Sequence, residues 1–245
     1  MTSLNNAFPL WNEFRKIPLQ FAFNPLEEAS AAYIAENFTL PSSIFNLLDD
    51  ESKANYTKGC KQIVTNIRTY DDNFIDAVLP FFFVFERELT YSCSIWMRGE
   101  LNIDIVRYPD KYHPSRNARF PGANKNSLVE FNQKSDDNDE WEAPTMGKAC
   151  MAIKAYVLTR HKRPFEKADA QFFELWSTFA QTYNHLRHFQ HGPVTLDEIV
   201  NMKKHLDIFL LLYLPDMHKL KMSFRTPTPQ ALTTAKGSAL PEAAD

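Results

Sequence analysis

Tyr183-Asn184-His185-Leu186-Arg187-His188-Phe189-Gln190-His191-Gly192-Pro193-Val194-Thr195-Leu196-Asp197-Glu198 closes one long helical pattern, turns, and opens another. Gly192-Pro193 stops the first helix, because glycine accepts the left-handed backbone beyond a helix end and proline cannot continue the ladder. Thr195 and Glu198 stand three apart as a capping box, in which each side chain satisfies a backbone N–H near the other. The predicted unit is helix, tight turn, helix.

Working outward, Phe172, Leu175, Trp176, Phe179, Tyr183 and Leu186 recur at helical spacing and predict a helix from about Glu166 to His191. Downstream, Leu196, Ile199, Val200, Leu206, Leu210 and Leu211 predict a last helix ending near Leu214-Pro215. Further back, Asp50 to Tyr70 reads as the first helix of the domain. A second helix carries Ile75, Val78, Leu79, Phe82, Phe85, Leu89, Cys93 and Trp96 inward and is kinked or restarted at Pro80. Met146, Cys150, Ile153 and Val157 predict another from Thr145 to Thr159, ended by Arg160-His161-Lys162-Arg163-Pro164. The fold class is all-α: a helical bundle of four to five long helices with one long inter-helix loop.

That loop spans residues 101 to about 140. Ile103, Ile105 and Val106 suggest a brief extended segment, followed by Pro109, Pro114 and Pro121. Its first half is basic (Arg107, Lys111, His113, Arg116, Arg119, Lys125) and its end acidic. A solvated insertion is the expected outcome, with a phosphate-contacting loop as the alternative. Residues 1–48 read as an arm with a short helix over Pro25 to Asn37, residues 49–222 as the bundle, and residues 223–245 as a low-complexity tail expected to be disordered. No internal repeat is evident.

Composition removes several function classes. The chain has only 6 Gly in 245 residues and neither GxGxxG nor GxxxxGK[ST], so neither a dinucleotide site nor a P-loop is predicted. The net charge of -3 and pI near 6.2 argue against a protein that coats itself in nucleic acid, leaving only a local patch for such contact. Cys60, Cys93 and Cys150 form no metal or disulfide spacing and are expected to be reduced thiols. No signal peptide is legible at Met1–Asn6, and the apolar runs fall short of the roughly 20 residues a spanning helix needs. A soluble cytoplasmic protein with no membrane partner is expected.

The constellation with chemistry in it is Asn184, Arg187, His188 and His191. At helical spacing these fall within an arc of about 100° and lie away from the Phe172-Phe179-Leu186 stripe. Arginine can hold a phosphate through two parallel hydrogen bonds, and imidazole exchanges protons near neutral pH. With a ribose 2′-hydroxyl as nucleophile, such a pair needs neither metal nor cofactor. Against this stands the ordinary role of Arg and His at helix C-termini, where they answer the carbonyl ends. Metal binding through His188 and His191 alone, without a nearby acid, is a weak prospect. Glu86 lies on the second helix's buried stripe. A structural ion pair across the bundle is expected for it, and a substrate-contacting acid is the alternative.

Leu186-Arg187-His188-Phe189-Gln190-His191-Gly192, late in a long helix and followed by a capped one, resembles the signature of HEPN domains. That signature is Arg, four to six residues, then His, often with Asn after the Arg and Gly after the His. Phe85-Glu86-Arg87-Glu88-Leu89 is similar to part of the first helix of several such domains, and Trp141 to Met151 to their second. The likeness covers roughly residues 70 to 215. It implies an all-α homodimer acting as a metal-independent endoribonuclease in toxin–antitoxin or phage defence, alone or with an antitoxin or defence partner. Arg187 and His191 of two subunits would be the catalytic residues of a composite cleft that takes RNA, with Asn184 and His188 orienting substrate. In this chain only three residues separate Arg187 from His191, and His188 stands where Asn is common. That implies a shifted active histidine aided by His188, or a helical module of the same shape that binds a protein or nucleic acid without cutting.

Overall fold

The computed structural model describes residues 40–69, 71–122, 127–135, 140–188 and 192–225. Over these it is a helical bundle of α1 (Asp50–Thr69), α2 (Ile75–Phe85), α3 (Ser92–Glu100), α4 (Met146–Arg160), α5 (Ala170–His188) and α6 (Leu196–Arg225). A single helical turn, Ser42–Phe45, precedes α1. Two small antiparallel pairs lie between α3 and α4: β1 (Arg119–Pro121) with β2 (Leu128–Glu130), and β3 (Gln133–Lys134) with β4 (Trp141–Glu142). The expected all-α bundle is what forms. The helix expected over Pro25 to Asn37 and the tail beyond residue 225 lie outside the described residues.

α2, a π-helical turn at Glu86–Tyr91 and α3 make one continuous helical run. Pro80 lies inside it without ending it. Proline forfeits one ladder hydrogen bond, but Ala77, Val78, Phe81, Val84 and Phe85 are all buried around it and hold the helix in place. The π turn then shifts the inward stripe, so the carboxylate that becomes fully buried is Glu88. α5 runs antiparallel to this rod: Phe82 stacks on Tyr183 at 3.8 Å between ring centroids, and Phe85 on Phe179 at 4.0 Å. α6 closes the core through Phe209, tilted against Phe85 at 4.7 Å and against Phe172 at 5.6 Å. α1 approaches α2 closely at Gly59, where a Cβ would meet the Phe81 ring at 2.6 Å.

Three boundaries differ from expectation. α5 starts at Ala170 rather than near Glu166, because Asp169 caps it: its Oδ1 accepts the N–H groups of Gln171 (3.0 Å) and Phe172 (3.1 Å). α6 passes through Pro215 to Arg225, since Met217 and Lys221 beyond the expected end remain buried against the core. Trp141–Glu142, likened above to the start of a family's second helix, is strand, while the helix expected from Thr145 begins at Met146 as read.

The segment between α3 and α4 is the largest correction. It is no solvated insertion: Ile103, Ala118, Val129, Phe131 and Trp141 are buried in it. Ile103 to Val106 is irregular chain leading into a turn instead of a strand. The anchor is Arg98, fully buried near the end of α3. Its Nη1 donates to the carbonyls of Tyr108 (3.0 Å) and Pro109 (2.8 Å), and its Nη2 to the carbonyl of Lys111 (2.8 Å) and to Asn132 Oδ1 (3.2 Å). The guanidinium also lies 4.3 Å over the Trp141 ring. Asn132 in turn donates to the carbonyls of His113 (3.0 Å) and Arg116 (2.7 Å). A rigid fork of donors thus gathers three turns of chain that make little regular structure of their own.

Two further buried polar networks pin the helices. Lys221 of α6 reaches Glu88 of the π turn and Asp49 (3.1 Å), while the Asp49 N–H donates to Glu88 Oε1 (2.8 Å). On α6 and α1, Lys203 pairs with Asp207 and donates to Tyr56 Oη (2.9 Å), which donates to Asp207 Oδ1 (2.8 Å). Among the described residues no helix is long and apolar enough to cross a membrane.

Candidate phosphate-binding site at the end of α5

The turn after α5 is built as the capping pattern predicts. Glu198 Oε2 accepts the Thr195 N–H and hydroxyl, each at 2.8 Å, and Thr195 Oγ1 accepts the Glu198 N–H at 3.4 Å. The bond from the Thr195 N–H holds the Glu198 carboxyl below its ordinary range, aided by the Thr195 hydroxyl and the nearby charge of His185. Asn73 ties this turn to the start of α2: its side-chain oxygen accepts the N–H groups of Val194 (3.1 Å) and Ile75 (3.2 Å). The Phe74 N–H also donates to the Val194 carbonyl at 2.8 Å. Gly192 has φ of 102°, the left-handed backbone expected where the helix is broken.

Arg187 lies exposed in the last turn of α5. One of its terminal nitrogens donates to the Tyr183 hydroxyl one turn earlier, and its guanidinium carbon sits 5.8 Å from the Tyr183 ring centre. Tyr183 is itself buried and stacked on Phe82. The arginine is thereby braced on a fixed aromatic post, which limits its rotamers while the side chain stays exposed. It forms no ion pair with a carboxylate among the described residues. Asn184 is exposed on the same helical face. His188 is the last described residue of α5, and His191 lies outside the described residues.

Glu86 does not make the expected ion pair across the bundle. It is half-buried on the π turn, without a hydrogen bond or ion pair among the described residues, and burial pushes its carboxyl above the ordinary value. The cross-bundle pair belongs to Glu88, two residues on, for the reason given by the π turn. The structure therefore places Arg187 and Asn184 together and does not bring Glu86 into ion-pair contact with Arg187. Tyr183 is the member that sequence reading left in the core. Its spacing of four from Arg187 on a helix was the available signal.

Comparison with protein-family models, with curated proteins and with solved structures finds no match for this chain.

Proposed function

We propose that the protein is a metal-independent, HEPN-type endoribonuclease in which Arg187 holds the scissile phosphate and His191 moves the proton. The observation that supports this is the state of Arg187: exposed, braced by Tyr183, and not neutralised by a carboxylate among the described residues. An arginine kept only to answer the helix carbonyls needs no aromatic brace. One that must meet a phosphate in a set orientation gains from it, because less rotamer entropy is lost on binding.

In the proposed reaction the ribose 2′-hydroxyl gives its proton to solvent water as its oxygen attacks the adjacent phosphorus, and the bond to the 5′-oxygen breaks. The products are a 2′,3′-cyclic phosphate and a free 5′-hydroxyl. His191 gives the proton that the 5′-oxygen takes up, a role helped by the C-terminal end of α5, which favours imidazolium. Arg187 offsets the charge that grows on the phosphoryl oxygens. Asn184 and His188 orient the strand, Glu86 lies on the neighbouring rod as a further substrate contact, and a second subunit supplies the other half of the cleft. RNA is the substrate, and toxin–antitoxin or phage defence is the setting this reading fits.

The test is cleavage of a mixed RNA pool in EDTA by the wild type beside Arg187→Ala and His191→Ala. Loss in both variants, with unchanged folding, is the expected result. A second reading, a binding module of the same shape, is favoured by the three-residue spacing of Arg187 and His191. RNA binding by the wild type without cleavage, weakened by Arg187→Ala, would select it.

A further inference from the structure

At the opposite end of the bundle, the C-termini of α3 and α4 and strand β1 enclose an open cleft of about 860 Å³. It lies far from Arg187. Glu100, on its wall, and Phe82, which stacks on Tyr183, belong to one helical run and are about 27 Å apart along it.

Three cations border the cleft: Arg119 from β1, and Arg160 and Lys162 from the end of α4. Glu100 fixes one of them. Its Oε2 accepts from Lys162 Nζ at 2.8 Å and from the Tyr156 hydroxyl at 2.7 Å. Burial works against that carboxylate, but the bonds from Lys162 and Tyr156 outweigh it and hold its pKa below the ordinary value. Arg119 is held by Glu130 at 2.6 Å. Arg160 is exposed and has no carboxylate partner among the described residues. Phe120 completes the site, half-buried with its ring edge-on to Tyr156 at 5.1 Å.

Complementing the α4 carbonyl end accounts for Arg160 and Lys162. It does not account for Arg119, which comes from a separate hairpin, for a carboxylate that positions Lys162, or for an aromatic ring lining the same cleft as Arg160. A fixed ammonium, a guanidinium without a carboxylate partner among the described residues and a flat ring within one cleft match a group that is anionic at one end and aromatic at the other. The cleft volume falls within the range of small-ligand sites.

We infer that this cleft is a second, independent site that binds one nucleoside monophosphate unit, with its phosphate on Arg160 and Lys162 and its base against Phe120. The unit is either a free nucleotide or one residue of an RNA strand. Arg119 lines the edge, its charge offset by Glu130, and shapes the cleft beside the ligand.

Titration calorimetry on the full chain tests this with AMP, inorganic phosphate and an adenosine ribo-octamer as probes. AMP is expected to bind more tightly than phosphate. Arg160→Ala should weaken AMP about tenfold or more, as the loss of a charge-assisted contact does. Phe120→Leu, which keeps apolar volume but removes the ring, should narrow the gap between AMP and phosphate. The loss caused by Arg160→Ala should be the same in an Arg187→Ala background, so this site and the one proposed on α5 stand or fall separately. If Arg160→Ala weakens the octamer as much as AMP, the ligand is a strand; if it weakens only AMP, a free nucleotide. No heat of AMP binding at millimolar concentration, or AMP binding equal in wild type and Arg160→Ala, overturns the proposal.

Discussion

Arg98 and Arg187 are the same side chain near the C-terminal ends of two helices, and the fold uses them in opposite ways. Arg98 is fully buried, and three carbonyls, one side-chain amide and the face of Trp141 take up its fork. Burial even lowers its pKa to about 10. Arg187 is exposed, leans on one tyrosine and forms no ion pair with a carboxylate among the described residues. An arginine enclosed by backbone carbonyls holds a chain segment in shape. An arginine braced on an aromatic ring and left open is available to a ligand. Helix position alone does not separate the two roles; the partners do.

The comparison breaks first at Arg98. Arg98→Ala leaves several buried carbonyls without a donor, which costs on the order of 4 kcal/mol. That corresponds to a melting temperature lower by roughly 10 °C. Proteolysis should then cut first between α3 and α4. A melting curve and digestion pattern like those of wild type would mean that the hairpins, not the guanidinium, hold that segment.

Lys221 gives a second buried cation to set beside Arg98. Lys221→Ala strands Glu88 in the core, at a cost of about 3 kcal/mol by urea unfolding, with no special effect on the α3–α4 segment. Equal susceptibility of that segment in both variants would erase the distinction between a clamp and a general loss of stability.

Arg187→Ala is the other arm of the contrast. Its stability should stay within about 0.5 kcal/mol of wild type, as for an exposed side chain, while RNA cleavage disappears. A variant destabilised as much as Arg98→Ala would assign Arg187 to structure.

The smallest effect concerns Glu86. Burial raises its folded-state pKa above the ordinary 4.5, so the folded protein holds this proton more tightly than the unfolded chain. Its contribution to stability therefore falls as pH rises from the ordinary carboxylate value through the raised one, and remains lower above it. Glu86→Gln removes that slope, leaving the variant the more stable partner at neutral pH. Parallel unfolding curves from pH 4 to 8 for the two proteins would show that Glu86 is not strained by burial.

Much of the fold was legible because it rests on local rules. The stripe from Phe172 to Leu186 and the Thr195–Glu198 box report chain-local periodicity and capping, and both appear as read. Ends were less legible where a distant contact decided them. α6 continues past Pro215 because Lys221 finds Glu88 across the bundle. Of the candidate site, Asn184 and Arg187 share a face as their spacing requires, whereas the brace from Tyr183 depends on Phe82, a partner 101 positions earlier in the chain.

By itself, then, the sequence determined that this chain is a bundle of amphipathic helices with a cationic, polar turn at one helix end, because periodicity, caps and breakers act over a few residues. Which charges are paired and which stay open was settled by contacts between helices. The π turn moved the buried carboxylate from Glu86 to Glu88, Arg98 turned an expected loop into packed structure, and Arg187 was left open. Pairing of charges depends on which helices meet and in what register, and neither is written in the spacing of residues along one of them.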